Sequence, residues 1–167
     1  VSVNVSPVQF RSGNLLNIVL QALSYSGLAP ERLELEITEA VLLDGKSDAL
    51  ATIERLRTIG VGLAMDDFGT GYSSLSYLLS YPFTKIKIDK SFVLSLAGEG
   101  NSEAVIKAVV GLGNSLGLTV TAEGIENEAA WEYLRGVGCR QGQGFYFGRA
   151  RPAEELASGP GAAVAGG

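Results

Sequence analysis

The chain has 167 residues, 46% of them hydrophobic and 19% charged, which supplies a core for about one domain and excludes a disordered chain. Its net charge of -5, with no run of Lys or Arg, argues against a general nucleic-acid or membrane-surface binder, which needs a basic face. No apolar run reaches about 18 residues, so no membrane segment is predicted, and the single Cys139 fits a reducing, cytoplasmic compartment.

The chain opens on an apolar alternation, VSVNVS, without a leading Met, which predicts a start inside a domain. Val1–Val5 reads as a first strand, followed by a Ser6-Pro7 helix start. Leu15, Leu16, Val19, Leu20 and Leu23 recur at helical spacing, and Gly27 ends that run. A strand follows at Leu33–Ile37, then a helix carrying Leu50, Ile53, Leu56 and Ile59 up to Gly60. Strands at Gly62–Met65 and Thr84–Ile88 precede a third helix with Val105, Val109, Val110, Leu112 and Leu116, closed by Gly117. Thr119–Ala122 is a fifth strand, Gly136 ends another helical run, and a sixth strand is expected around Gly144–Phe147. The Gly/Ala-rich tail, 157–167, reads as flexible.

Alternating β and α units predict an α/β fold with a mostly parallel sheet and helices outside. Each strand places apolar residues on one face and polar ones on the other: Ser2, Asn4 and Ser6; Glu34 and Glu36; Gly62, Ala64 and Asp66; Lys85, Lys87 and Asp89; Thr119, Thr121 and Glu123. The alternation alone also fits an antiparallel sheet with one wet face, but the β–α order weighs against it. In a closed barrel the polar faces line the lumen, where unpaired carboxylates would each cost several kcal/mol. They must meet cations, either the two lysines or metals. Glu34 and Lys85 are therefore expected to neutralise one another one layer below the strand ends.

The last inward residues, Asn4, Glu36, Asp66, Lys87 and Glu123, fall where parallel α/β barrels gather their active sites. Singly each has an ordinary reading: Asn4 and Asp67 as turn residues, Glu36 and Glu39 as a solvated pair, Lys87 as a surface lysine, Glu123 as a helix-capping acid. Polar groups at all five strand ends are harder to dismiss. The chain has no histidine and one cysteine, so His/Cys zinc sites and Ser-His or Cys-His nucleophiles are excluded. Carboxylates plus an amide oxygen suit Mg²⁺ or Mn²⁺, with Ca²⁺ as a competitor.

These stretches, VNVS at 3–6, ELEITE at 34–39, DDFGTGYSSL at 66–75, KIKID at 85–89, TAEGIE at 121–126 and QGFYF at 143–147, resemble in order and spacing the EAL domain, the cyclic-di-GMP phosphodiesterase of bacterial signalling proteins. The resemblance covers residues 1–156. It implies a TIM-like barrel that hydrolyses cyclic-di-GMP to linear pGpG with a Mg²⁺ or Mn²⁺ pair, Ca²⁺ being inhibitory. By the same resemblance Asn4, Glu36, Asp66, Asp67 and Glu123 are metal-site residues, Lys87 orients or activates the attacking water, and Gln143 sits near substrate and water. Glu39 would anchor the loop Phe68–Ser74, which would couple metal binding to homodimerisation. The family's Glu-Ala-Leu strand is absent, and with it a ligand glutamate and an arginine. That implies an N-terminally truncated barrel with impaired activity. An inactive EAL module acting as a cyclic-di-GMP receptor or protein-interaction domain is the alternative, and a lysine-base barrel lyase a third reading. No partner nucleic acid is expected, and anchoring of a longer parent protein to a membrane stays open.

Overall fold

The computed structural model describes residues 1–43, 48–70, 75–97, 100–152 and 154–155. In chain order these form β1 (Ser2–Val5), α1 (Pro7–Arg11), α2 (Leu15–Ser26), β2 (Glu34–Thr38), α3 (Glu39–Leu43), α4 (Asp48–Thr58), β3 (Gly62–Phe68), α5 (Leu75–Ser80), β4 (Lys85–Ile88), α6 (Lys90–Leu94), α7 (Ser102–Ser115), β5 (Thr119–Ala122), α8 (Glu128–Gly136) and β6 (Gln141–Gly142). The tail, 157–167, and residues 71–74 of the Phe68–Ser74 loop lie outside the described residues.

The strands form one sheet in the order β1-β2-β3-β4-β5-β6, every pair parallel. Sequential parallel strands joined by helices are the winding of a (β/α) barrel, and this one is an arc with β1 and β6 at its two edges. The antiparallel reading of the alternation is excluded. Alternate residues instead divide between the helix layer and the lumen.

The outer faces of the strands make the core. Leu35, Ile37, Leu63, Met65, Ile86, Ile88 and Val120 are buried together with Val19 and Leu23 of α2, Ile53 and Leu56 of α4, Ile106 and Val110 of α7 and Leu134 of α8. Each fully buried aliphatic side chain contributes about 1.5–3 kcal/mol. α7 approaches β5 so closely that a Cβ on Gly113 would stand 2.3 Å from Val120 Cγ2, which is why that helix carries glycine at an otherwise apolar position.

Local signals behave as the sequence suggests. Ser6 caps α1, its hydroxyl accepting from Gln9 N while Gln9 reaches back, and Pro7 occupies the first turn. Gly27, Gly60 and Gly117 take the left-handed backbone expected after a helix, but after α8 that role falls to Gly138 instead of Gly136. The sixth strand is a correction: β6 is Gln141–Gly142, and Gly144–Phe147 is a turn. The Gly144 Cβ position falls 2.1 Å from the Ile125 carbonyl oxygen, and Tyr146 N donates to that same oxygen. The chain is folded back onto Ile125 where aromatic β-propensity alone suggested a ladder. No helix among the described residues is long and apolar enough to cross a membrane.

Candidate functional site

The lumen is organised in layers by the sheet register. Asn4 lies beside Glu36, Glu36 beside Ala64, Thr38 beside Asp66, and Lys87 beside Thr121. Glu34 and Glu36 are on β2, and Lys85 and Lys87 on β4, with β3 between them. β3 presents only Gly62 and Ala64 at these levels, so acid and lysine meet over small residues two strands apart. In the lower layer Lys85 Nζ sits 2.7 Å from Glu34 Oε2, and Ser2 Oγ donates to Glu34 Oε1 at 3.0 Å. The expected neutralisation of Glu34 by Lys85 is present.

In the upper layer Lys87 is 4% exposed and faces three acids. Its ammonium lies 2.6 Å from Glu36 Oε2, 2.6 Å from Glu123 Oε1 and 3.1 Å from Asp66 Oδ1. Burial alone would favour the neutral amine, but the ion pairs with Glu123, Glu36 and Asp66 outweigh it and hold Lys87 charged. Glu123 follows β5 directly, and its N–H donates to Ile88 O at 3.1 Å. The chain then turns at Gly124, φ 70°, where a Cβ would strike Lys90 Cβ at 2.5 Å. Glycine there sets the exit that turns Glu123 inward.

Side chains of successive residues in a regular strand point apart, which would turn Asp67 away from Asp66. Instead the register of β3 shifts between Met65 and Phe68, and Asp67 adopts φ 54°, the one positive φ at a non-glycine among the described residues. The bulge turns Asp67 back, so that one oxygen each of Asp66, Asp67 and Glu123 lie within 4.8 Å of one another. Asp tolerates this left-handed backbone better than most residues. Burial, then the charges of Asp66 and Asp89, raise the Asp67 pKa. Burial also raises that of Glu123, with the Lys87 contacts pulling the other way. Crowded acids of this kind have the chemistry of a hard-cation site.

The remaining expected residues are spread more widely. Asn4 is exposed on the edge strand, on the face that carries Ser2 and beside Glu36. Gln143 is exposed, and its N–H donates to Ala122 O at 2.8 Å. Its side chain joins Glu36, Lys87, Gln141, Trp131 and Phe147 in the wall of a cavity of about 430 Å³. Glu39 opens α3 directly after β2, and α3 lies against β3. Sequence reasoning did not find Trp131 and Phe147, whose rings meet edge to face at 5.2 Å. One sits on a helix and the other in a turn, and only tertiary packing brings them to the cavity. Asp89 was visible by strand parity but unassigned. Its carboxylate caps α6, accepting from Ser91 N at 2.9 Å, while its charge reaches Asp67.

Known proteins resemble the chain in sequence and fold. Residues 1–150 match the EAL domain. The bifunctional diguanylate cyclase/cyclic di-GMP phosphodiesterase MucR of Pseudomonas aeruginosa is 43% identical over 156 residues, which is 93% of this chain and 23% of MucR. The solved structure of the PaMucR phosphodiesterase in complex with c-di-GMP matches with a TM-score of 0.88 at 43% identity, covering 93% of this chain and 63% of that one. Klebsiella pneumoniae BlrP1 in its manganese/cyclic-di-GMP complex matches with a TM-score of 0.81 at 34% identity, covering 89% of this chain and 38% of that one. The chain spans about a fifth of the length of the curated relatives it matches. With the family pattern matched over residues 1–150 and the strand-end acids and lysine gathered as described, the chain belongs to the EAL domain family.

Proposed function

We propose that this chain carries the hydrolytic centre of a cyclic-di-GMP phosphodiesterase, opening one phosphodiester bond to give linear pGpG. The observation that carries the reading is the convergence of Glu36, Asp66 and Glu123 on Lys87, with Asp67 turned into the same cluster. The donor set is all oxygen, as Mg²⁺ or Mn²⁺ requires, and Asp66, Asp67 and Glu123 with Asn4 and Glu36 would hold the ions. Divalent ions there would polarise the phosphodiester, ease deprotonation of water and stabilise the leaving oxygen. Lys87 orients the attacking water, Gln143 steadies substrate from the cavity wall, and Glu39 anchors the loop after Asp67. Ca²⁺, larger and content with irregular coordination, is expected to inhibit.

Homodimerisation through the Phe68–Ser74 loop region belongs to the same reading. Leu75 and Leu79, one turn apart on α5 directly after that loop, are 47% and 64% exposed. A receptor that binds cyclic-di-GMP without turnover is the second reading. What favours it is that Trp131 and Phe147 stand in the wall of the cavity and offer aromatic surface to a bound base, a contact that needs no turnover.

The test is cyclic-di-GMP hydrolysis with Mg²⁺, Mn²⁺ or Ca²⁺, repeated with Glu123→Gln. Turnover in Mg²⁺ or Mn²⁺, lowered about 10²–10⁴-fold in the variant and suppressed by Ca²⁺, supports the enzyme. Binding without turnover transfers the case to the receptor, and neither binding nor turnover refutes both.

A further inference from the structure

An ammonium has three N–H donors, and Lys87 faces three carboxylates at 2.6, 2.6 and 3.1 Å. Its donors are saturated. Before Lys87 can donate to water or to a phosphoryl oxygen, one of the three acids must release it. Two of them, Asp66 and Glu123, also belong to the cluster with Asp67 whose oxygens could grip a cation.

We propose that Lys87 is the resident counter-ion of this carboxylate ring, and that a divalent cation binds in competition with it, freeing the ammonium as it takes over Asp66 and Glu123. The proposal rests on the metal-site reading above. The contact with Asp66 is the longest of the three and the first to yield. Glu36 lies outside the three-acid cluster and retains Lys87 through Oε2 at 2.6 Å, leaving its other oxygen for an ion, so the freed ammonium stays tethered beside the cavity instead of swinging into solvent. Charge balance points the same way. Glu36, Asp66, Asp67 and Glu123 bring four negative charges against one ammonium, an excess that one lysine lessens but does not cancel. Cation loading and the availability of Lys87 are thus one linked event.

The sign of one measurement separates this from a lysine that merely arranges ligands. Mn²⁺ is titrated calorimetrically into the full chain, into Lys87→Met and into Lys87→Arg at fixed ionic strength. Competition predicts that Lys87→Met binds Mn²⁺ at least about tenfold more tightly than the parent, because a like charge beside the ion is gone. Lys87→Arg, which keeps the charge, should stay within about threefold of the parent. Thermal unfolding gives the second readout: Lys87→Met should lose stability in EDTA and regain most of it in Mn²⁺. Equal or weaker Mn²⁺ binding by Lys87→Met overturns the proposal while leaving the metal site standing. No Mn²⁺ binding by the parent overturns both. If Lys87→Met is unfolded in either medium, Lys87→Gln replaces it. A Gln variant that Mn²⁺ cannot fold overturns the proposal, since the ion then fails to stand in for the ammonium.

Discussion

The two lysines of β4 sit two residues apart and reach two glutamates of β2, also two residues apart, yet their surroundings differ. Lys85 and Glu34 are one cation and one anion at 2.7 Å, each about a fifth exposed, with Ser2 completing the glutamate. Lys87 faces Glu36, Asp66 and Glu123 with Asp67 close by, so one cation is set among four acids. The lower layer is balanced and needs nothing further. The upper layer carries an excess of negative charge in a poorly solvated place, which is an arrangement for binding something positive. The same strand pair thus makes a structural brace and, one turn of the pleat higher, the acid-rich cluster proposed as the centre. What separates them is the company supplied by β3 and by the exit of β5.

The comparison breaks most visibly if Asp66 is neutralised. Asp66→Asn should weaken Mn²⁺ binding by at least about a hundredfold, beyond what outer-shell changes at metal sites cost, and calorimetry would check it; unchanged affinity would mean the upper layer is only a second brace. Glu34→Gln should act on the other axis. It leaves Lys85 without its anion and lowers unfolding free energy by about 1–3 kcal/mol, the partial exposure keeping it below the cost of a fully buried pair. Mn²⁺ affinity should be unchanged, and Glu34→Gln combined with Lys85→Met should recover most of the loss in denaturant melts.

Gly124→Ala sharpens the contrast by shifting Glu123 without touching its charge. A Cβ at φ 70° and 2.5 Å from Lys90 should cost about 1–2 kcal/mol and weaken Mn²⁺ binding, while the lower pair is untouched. The smallest effect is expected at Cys139, a neutral group in the buried core whose thiol donates to Val120 O and Gln141 O. Burial pushes its pKa up to about 11 from 9.0. The thiol therefore contributes stability that is complete below pH 9 and is lost as pH rises towards 11. Iodoacetamide at pH 8 should label Cys139 only on unfolding; rapid labelling of the folded chain would show that the β5–β6 wall opens.

Much of this was legible from residue order alone. The strand parity that put Glu34, Glu36, Asp66, Lys85, Lys87 and Glu123 on one face is a period-two property of the backbone, and the structure places all six in the lumen. The Glu34–Lys85 pair followed from that parity and from the cost of burying charge. Where inference failed, longer-range contacts overrode local preference. Gly144–Phe147 is rich in strand-forming aromatics but is pinned into a turn by Ile125, far away in the preceding loop. Asp66 and Asp67 converge because a bulge interrupts β3, and nothing in AMDDFG announces that the register breaks between Met65 and Phe68.

Sequence by itself therefore determined the βα winding, the polar lumen, the oxygen-only chemistry and the family, since each depends on local period, composition or linked motifs. Tertiary structure alone decided that three acids share one ammonium and that Trp131 and Phe147 meet beside Gln143. The physical reason is distance: these contacts join residues tens of positions apart, and their geometry is set by register and strand shear, which no single stretch of chain encodes.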